Sequence, residues 1–245
     1  MKRLSYALLC FLPLVAFADN DISKVNSSVR VEAGQSAGDV ESVNGSVTIE
    51  DGATAQDVES VNGSINIGER ASVHKVNTVN GGIRVGDGSK AKSIDTVNGT
   101  LRIGQGAQIA EDVSAVNGSI TLDRNADVSG HLENVNGKML LDSAHVAHGI
   151  ETTNGDIEIG TGSRVEGGIV VEKPNSHGWF NSKHRAPTII IGPSAVVEGE
   201  LRFDQPVELY VSDSARIGKV TGATPMKFSG DRPDRSAKNN EQVER

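Results

Sequence analysis

The chain has 245 residues, with 24 Lys and Arg against 32 Asp and Glu, a formal net charge of −8, and only 3% aromatic residues. An acidic balance disfavours nucleic acid and anionic membrane surfaces as partners. The scarcity of aromatic side chains also disfavours stacking platforms for bases. The composition therefore predicts a protein with no nucleic-acid partner.

Residues 1–18 have the pattern of a secretory signal peptide. Lys2 and Arg3 give a positively charged start, a short apolar core follows, and Ala16–Ala18 forms a small-x-small cleavage site. The apolar core is too short to predict a transmembrane span in the mature chain. Cys10, the only cysteine, lies within this segment, which excludes disulfides and thiolate metal sites after cleavage. We therefore expect an exported protein, located in the periplasm or at the cell surface.

A repeat of about 18 residues organises most of the chain that follows. Its opening, Val-Asn-Gly-Ser-Ile at Val61–Ile65, recurs almost unchanged, and a fixed period of this kind indicates a solenoid. The asparagine of the repeat returns at spacings of 18 or 19 residues, at Asn26, Asn44, Asn62, Asn80, Asn98, Asn117, Asn136 and Asn154.

The residues within the repeat indicate short strands. β-Branched side chains dominate the apolar set, Ile65–Ile67 alternates apolar with polar, and no window has the spacing of an amphipathic helix. Apolar residues recur at six-residue steps, at Val61, Ile67, Val73 and Val79, which predicts three inward-facing strands of about six residues per coil. We predict an all-β protein, a single-stranded β-helix (β-solenoid) with about 18 residues per coil, roughly triangular, with coils stacked about 4.8 Å apart.

The Asn-Gly pair is predicted to form a corner of each coil. Glycine follows asparagine in seven of the eight units, and glycine adopts positive φ without steric cost. Amides stacked at one corner of successive coils would hydrogen-bond to one another as a ladder. Four of the asparagines also lie in Asn-Gly-Ser/Thr glycosylation acceptors, but glycans about 4.8 Å apart would collide. We therefore expect the eight asparagines to be structural corner residues.

The pattern predicts five segments. Pro174 and Pro187 bracket a stretch that interrupts the repeat, as expected of a surface loop that leaves and re-enters a sheet. Near the C-terminus, Met226 and Phe228 are expected to fold over the open end, before a charged tail with the composition of a disordered segment. The segments are a signal peptide at 1–18, the Val-Asn-Gly solenoid at 19–171, an inserted loop at 172–187, a continuation of the solenoid at 188–221, and a capping segment and tail at 222–245.

The inserted loop holds the residues with the most binding character. Loops on rigid scaffolds commonly carry function, and Trp is enriched in binding hot spots. Two interpretations stay open, because Trp179 and Phe180 either contact a partner or fold back over the side wall of the coil. A metal shared by two histidines is not predicted, because two ligands seldom hold a metal alone. The candidate binding residues are His177, Trp179, Phe180, Lys183, His184 and Arg185.

No catalytic constellation is evident in the sequence. His74, His131, His145 and His148 fall at outward or corner positions of the repeat, where a solvated histidine is expected. The Gly-Gly-x-Gly-x-Asp nonapeptide of calcium-binding repeats is absent. We therefore predict no enzyme activity, no cofactor and no metal site.

Two elements resemble known families. Ile67-Gly-Glu-Arg-Ala-Ser and Ile191-Gly-Pro-Ser-Ala-Val resemble the Ile-Gly-x-x-Ala-x hexad of left-handed β-helix acyltransferases. The longer run Ile191–Leu201 is similar to bactofilins, the polymer-forming cytoskeletal β-helix proteins of bacteria, and the Val-Asn-Gly-Ser-Ile repeats are similar to the bacterial putative-adhesin β-strand repeat family. The hexad implies a left-handed coil and the bactofilin resemblance a right-handed one, so both hands stay open. Bactofilins are cytoplasmic, whereas this chain begins with a signal-like segment.

These observations lead to two functional hypotheses. The first is a non-enzymatic structural or interaction protein of the bacterial cell envelope that acts as a self-assembling scaffold. Its partners would be further copies of itself, end-to-end or lateral, or envelope polymers. The alternative is a surface adhesin or glycan-binding module that works through the long side wall or the inserted loop. Concentration-dependent filaments favour the first, and retention on cell-wall material that depends on Trp179 favours the second.

Overall fold

A computed structural model describes residues 20–174 and 185–234, which contain 31 strands and no helix. All the strands pair in parallel. They form three sheets that are the three faces of a β-solenoid of about 11 turns, with roughly 18 residues per turn. The predicted fold class is confirmed.

Each face of the solenoid is one continuous parallel sheet, and its strands follow one another along the axis. Face 1 consists of β1 (Ile22–Lys24), β3 (Val40–Ser42), β6 (Val58–Ser60), β9 (Lys75–Asn80), β12 (Ser93–Asn98), β15 (Val113–Asn117), β18 (Leu132–Asn136), β21 (Ile150–Thr152), β24 (Ile169–Val171), β27 (Leu201–Phe203) and β30 (Val220–Thr221). Face 2 consists of β2 (Val29–Val31), β4 (Val47–Ile49), β7 (Ile65–Ile67), β10 (Ile83–Val85), β13 (Leu101–Ile103), β16 (Ile120–Leu122), β19 (Lys138–Leu141), β22 (Asp156–Ile159), β25 (Thr188–Ile191), β28 (Glu208–Ser212) and β31 (Met226–Phe228). Face 3 consists of β5 (Thr54–Ala55), β8 (Ser72–Val73), β11 (Lys90–Ala91), β14 (Gln108–Ile109), β17 (Asp127–Val128), β20 (His145–Val146), β23 (Arg164–Val165), β26 (Val196–Val197) and β29 (Arg216–Ile217).

The core is a set of apolar columns that run the length of the solenoid. Equivalent residues of successive turns pair directly, as Ile65 does with Ile83 and Ile83 with Leu101. These side chains are fully buried, as are Val76 and Val113 on face 1. Each turn can bury its apolar side chains only against its neighbours, so the stack as a whole supplies the core.

Two of the predicted inward positions point outward instead. Val61 and Val79 are 43% and 42% exposed, whereas Val58 and Val76 are fully buried. The strands are also shorter than expected, with two to six residues each. The six-residue step counted from Val61 therefore gave the wrong set of inward residues on face 1, although it placed those of faces 2 and 3 correctly.

The Asn-Gly corner does not use positive φ, which corrects the predicted role of its glycine. Among the described Asn-Gly pairs, only Gly137 has positive φ. At the other positions, exemplified by Gly63, a Cβ atom would meet the backbone carbonyl of the equivalent residue one turn below, here Gly45, at under 3.0 Å. Glycine is required there because the backbones of successive turns approach closely. Apart from Gly222 and Gly230 near the C-terminal end, the other described residues with positive φ lie at the corner between faces 2 and 3, at Gly34, Gly52, Arg70, Gly88, Gly106, Asn125, Ser143, Gly162 and Ser194.

Beyond residue 171 the solenoid continues with one interruption. β24 ends at Val171, and β25 resumes at Thr188, so the strand boundaries bracket the stretch predicted as an inserted loop. At the C-terminal end, Met226 and Phe228 lie in β31 and pair with Tyr210 and Ser212 of β28. They form the last rung of face 2 and do not fold across the open end as predicted.

Candidate interaction surface

Seven exposed valines form a row along the edge of face 1, which we call the valine row. Each directly precedes the asparagine of its repeat, and each is 39% to 60% exposed. With turns about 4.8 Å apart, the row extends over roughly 29 Å. Isolated exposed apolar residues are ordinary, but a contiguous apolar strip on a soluble protein indicates an interaction site. The row consists of Val25, Val43, Val61, Val79, Val97, Val116 and Val135.

The valines point outward because the strand before them fixes the alternation. Val58 is buried, Glu59 is exposed and Ser60 is buried, so Val61 follows on the outside. The Ser60 hydroxyl donates a hydrogen bond to the carbonyl oxygen of Gly45 at 3.1 Å. The equivalent Thr78 hydroxyl bonds in the same way one turn later. In four turns a buried, hydrogen-bonded hydroxyl thus precedes the valine and fixes the alternation that leaves the valine on the outer surface, at Val43, Val61, Val79 and Val97.

A second row of outward-facing residues lies two residues before the valines and continues one turn further to Glu151, and most of its members are acidic. We call it the carboxylate row, and within it Asn77 and Ser114 replace acidic residues. The Asn77 amide donates to Glu59 at 3.1 Å, and the Ser114 hydroxyl donates to Asp95 at 2.5 Å. Within the described residues, none of its carboxylates forms an ion pair. The carboxylates are those of Glu41, Glu59, Asp95, Glu133 and Glu151.

Glu133 shows the electrostatic consequence of this unpaired arrangement. Its partial burial raises the pKa of its carboxyl group above the ordinary range, and the neighbouring carboxylates of Glu151 and Asp112 raise it further. The nearby His131 opposes this effect. Glu133 is therefore a site where burial and neighbouring carboxylates together disfavour the charged form.

The two rows enclose a groove that runs along the axis. Its volume is about 430 Å³ between Ser23 and Val116, and its floor is formed by the buried hydroxyl side chains of face 1. A smaller depression of about 210 Å³ continues it past Glu133 and Val135. The groove thus has one apolar wall and one acidic wall over most of the repeat region.

The asparagines form a third row on the other side of the valines, which we call the asparagine row. In every turn the side-chain Nδ2 donates to the Oδ1 of the asparagine in the preceding turn, at 2.9 to 3.1 Å. The chain links all eight corner residues, from Asn26 to Asn154. The ladder fixes the orientation of every amide along this edge.

The charges on the other two faces are largely paired, in contrast to face 1. On face 2, Arg102 Nε lies 2.9 Å from Asp123 Oδ2, and Lys138 pairs with Glu158 at 2.5 Å. On face 3, Arg164 Nη2 lies 2.7 Å from Glu198 Oε1. Face 1 is therefore the side that combines exposed apolar side chains with unpaired carboxylates.

Most of the predicted binding residues lie outside the described residues, namely His177, Trp179, Phe180, Lys183 and His184. Arg185 is described, and its guanidinium forms an ion pair with Asp156 of β22. The backbone N–H of Thr188 donates to the same carboxylate at 2.8 Å. The ion pair of Arg185 thus holds the chain against β22 where the chain re-enters face 2.

The described histidines lie on the surface in local contacts. His74 Nδ1 lies 2.9 Å from Asp57 Oδ1, and His145 Nδ1 lies 2.5 Å from Asp127 Oδ1. The rings of His131 and His148 are tilted against each other, with centroids 5.1 Å apart. Within residues 20–174 and 185–234, no group of three or more His, Cys, Asp or Glu side chains is arranged to hold a metal ion.

Sequence reasoning missed the valine row, although the signal was present. Counting alternation forward from a buried residue such as Val58 places Val61 outside, and this count repeats in each turn. In the described part of the chain, no helix is long and apolar enough to cross a membrane. Neither a protein-family model, nor a curated protein, nor a solved structure was found to match the chain.

Proposed function

We propose that the protein is a non-enzymatic structural and interaction protein of the bacterial cell envelope that acts as a self-assembling scaffold. The observation that carries this proposal is the state of the two ends of the solenoid. Within the described residues, β1 and β2 at one end, and β30 and β31 at the other, pair on one side only. Unpaired strand edges are templates for further pairing.

The uniform stack supports a mechanical rather than a chemical role. Eight successive turns share the same corner, with the asparagine row hydrogen-bonded along it, and the apolar columns continue through about 11 turns. The resemblance of Ile191–Leu201 to bactofilins, which form polymers, points in the same direction. The signal-like segment at 1–18 supports placement in the envelope.

The test is the oligomeric state of the full chain as the protein concentration rises. Protein purified from an envelope fraction would be followed by light scattering and imaged by negative-stain electron microscopy. The proposal predicts particles that grow with concentration and contain more than one solenoid. Uniform single solenoids at every concentration would overturn it, and binding of such monomers to cell-wall material would support the adhesin alternative.

A further inference from the structure

We propose that the valine row is a lateral contact between two copies of this chain, which lie side by side and parallel about a two-fold axis that runs along the solenoid. This inference rests on the proposed self-assembly and names the surface that mediates it. Three features of face 1 lead to it: the spacing of the valines, the order of the three rows, and the free hydrogens of the asparagine row.

The spacing between successive valines is matched best by a second copy of this chain. Equivalent valines are one turn apart, about 4.8 Å, whereas an extended polypeptide laid along the row presents side chains on one side about every 6.6 Å. An α-helix advances 5.4 Å per turn. Either partner loses register within a few turns. A second copy has the same spacing and stays in register at all seven valines.

The order of the three rows favours a parallel orientation of the two copies. Around each turn the chain passes the carboxylate row, then the valine row, then the asparagine row, as at Glu59, Val61 and Asn62. A two-fold axis parallel to the solenoid places the carboxylate row of one copy opposite the asparagine row of the other. A two-fold axis across the solenoid places carboxylates opposite carboxylates, which is repulsive in a chain with a net charge of −8.

Hydrogen bonding favours the same parallel arrangement. Each asparagine amide has two N–H hydrogens, and the ladder uses one of them. In the described part of the chain, the second hydrogen has no protein partner. Carboxylates are strong acceptors, and they occupy the facing position in four of the seven valine turns, at Glu41, Glu59, Asp95 and Glu133. In the parallel pair, donors of one copy therefore face acceptors of the other.

The size of the strip sets the strength of the contact. The strip comprises the carboxylate, valine and asparagine rows and is about 29 Å long. Three residue steps lead from its first row to its last, which makes it about 10 Å wide. Its projected area of roughly 300 Å² is well below the ~800 Å² per partner of a standard stable interface. We therefore expect a weak, reversible pair, which becomes populated at high concentration or where copies are held close together.

The first test is a cysteine cross-link in a Cys10→Ser background, which leaves one thiol per chain. Val43 lies two turns from Val79, the centre of the row, and Val116 lies two turns away on the other side. In the parallel pair Val43 meets Val43, so Val43→Cys alone should form a disulfide-linked dimer under mild oxidation. The matched control is Asn66→Cys, an exposed position on face 2, which should remain monomeric.

The second test removes the apolar contact without changing side-chain shape. The triple variant Val61→Thr, Val79→Thr, Val97→Thr keeps β-branched residues on the outer surface, and its circular dichroism should match that of the wild type. It should raise the dissociation constant of the lateral pair at least tenfold in sedimentation velocity.

The outcomes separate this inference from the proposed function. Assembly that persists in the triple variant, with no cross-link at Val43→Cys, would overturn the lateral contact and leave end-to-end assembly standing. A cross-link that requires a mixture of Val43→Cys and Val116→Cys chains would overturn the parallel orientation. A wild-type chain that is monomeric at every concentration would overturn both the lateral contact and the proposed self-assembly.

Discussion

The α-carbon of Gly63 lies directly against the carbonyl group of Gly45 in the preceding turn, and a Cβ atom on Gly63 would approach that carbonyl to under 3.0 Å. Gly63→Ala should therefore destabilise the solenoid by about 1–3 kcal/mol, the usual range for overpacking. The measurement is the urea midpoint.

The matched control is Gly52, at the corner between faces 2 and 3. It has a φ of 64°, and its Cβ would meet nothing within 4 Å. Asn125 occupies the equivalent corner position with a φ of 58°. Gly52→Asn should therefore change stability by less than about 0.5 kcal/mol, because asparagine tolerates this conformation. Equal midpoints for Gly63→Ala and Gly52→Asn would contradict the close-approach explanation.

We expect the hydrogen bonds of the asparagine row to stabilise the solenoid. Asn80 donates to Asn62 at 3.0 Å and accepts from Asn98 at 3.0 Å, so Asn80→Ala removes two hydrogen bonds. We expect a loss of about 1–2 kcal/mol in the free energy of unfolding. Asn66→Ala, at an exposed position on face 2 outside the ladder, should cost less than about 0.5 kcal/mol. A ladder that contributes nothing would give the two variants the same urea midpoint.

The raised pKa of Glu133 predicts a pH dependence of stability. The native state holds this proton more tightly than the unfolded state, so wild-type stability falls as pH rises from the ordinary Glu pKa of about 4.3 through the folded pKa. Glu133→Gln removes this loss. The urea midpoint of the variant minus that of the wild type should therefore be larger at pH 7 than near pH 3.5.

Glu32→Gln, at an exposed corner residue away from the carboxylate row, is the control for the change in net charge. It should leave the pH dependence of the midpoint close to that of the wild type. A Glu133→Gln profile that runs parallel to the wild-type profile between these pH values would show that Glu133 does not contribute to the pH dependence of stability.

Export is tested by the N-terminus of the protein in its cellular location. Cleavage after Ala18 should make Asp19 the first residue in mass spectra of protein from an envelope fraction. An intact Met1–Ala18 segment on protein recovered from the cytoplasm would remove the basis for the envelope assignment.

The architecture was predictable because one period governs residues 26–154. The return of Asn26 through Asn154 every 18 or 19 residues implies parallel stacking in register, and the same return brings the amides into a ladder. The reason for glycine at the corner was not predictable from composition. Glycine serves both positive φ and close backbone approach, and only the path of the chain shows that Gly63 serves the second and Gly52 the first.

The valine row was missed for a related reason. A six-residue step fits Ile67 and Val73, which are buried, and it also fits Val61, which is not. The strict two-residue alternation from Val58 separates these cases, because Ser60 takes the inward position. Charges on faces 2 and 3 are largely paired, whereas the described carboxylates of the carboxylate row form no ion pair. This difference depends on side-chain contacts between turns that the sequence order does not reveal.

Sedimentation equilibrium of the full chain over a wide concentration range tests self-assembly most directly. Self-assembly predicts an average mass that rises above the 25.7 kDa of one chain, or the smaller mass of the cleaved chain, as concentration increases. It also predicts that the rise is weaker for the Val61→Thr, Val79→Thr, Val97→Thr variant. A single-chain mass for the wild type at all concentrations would contradict it.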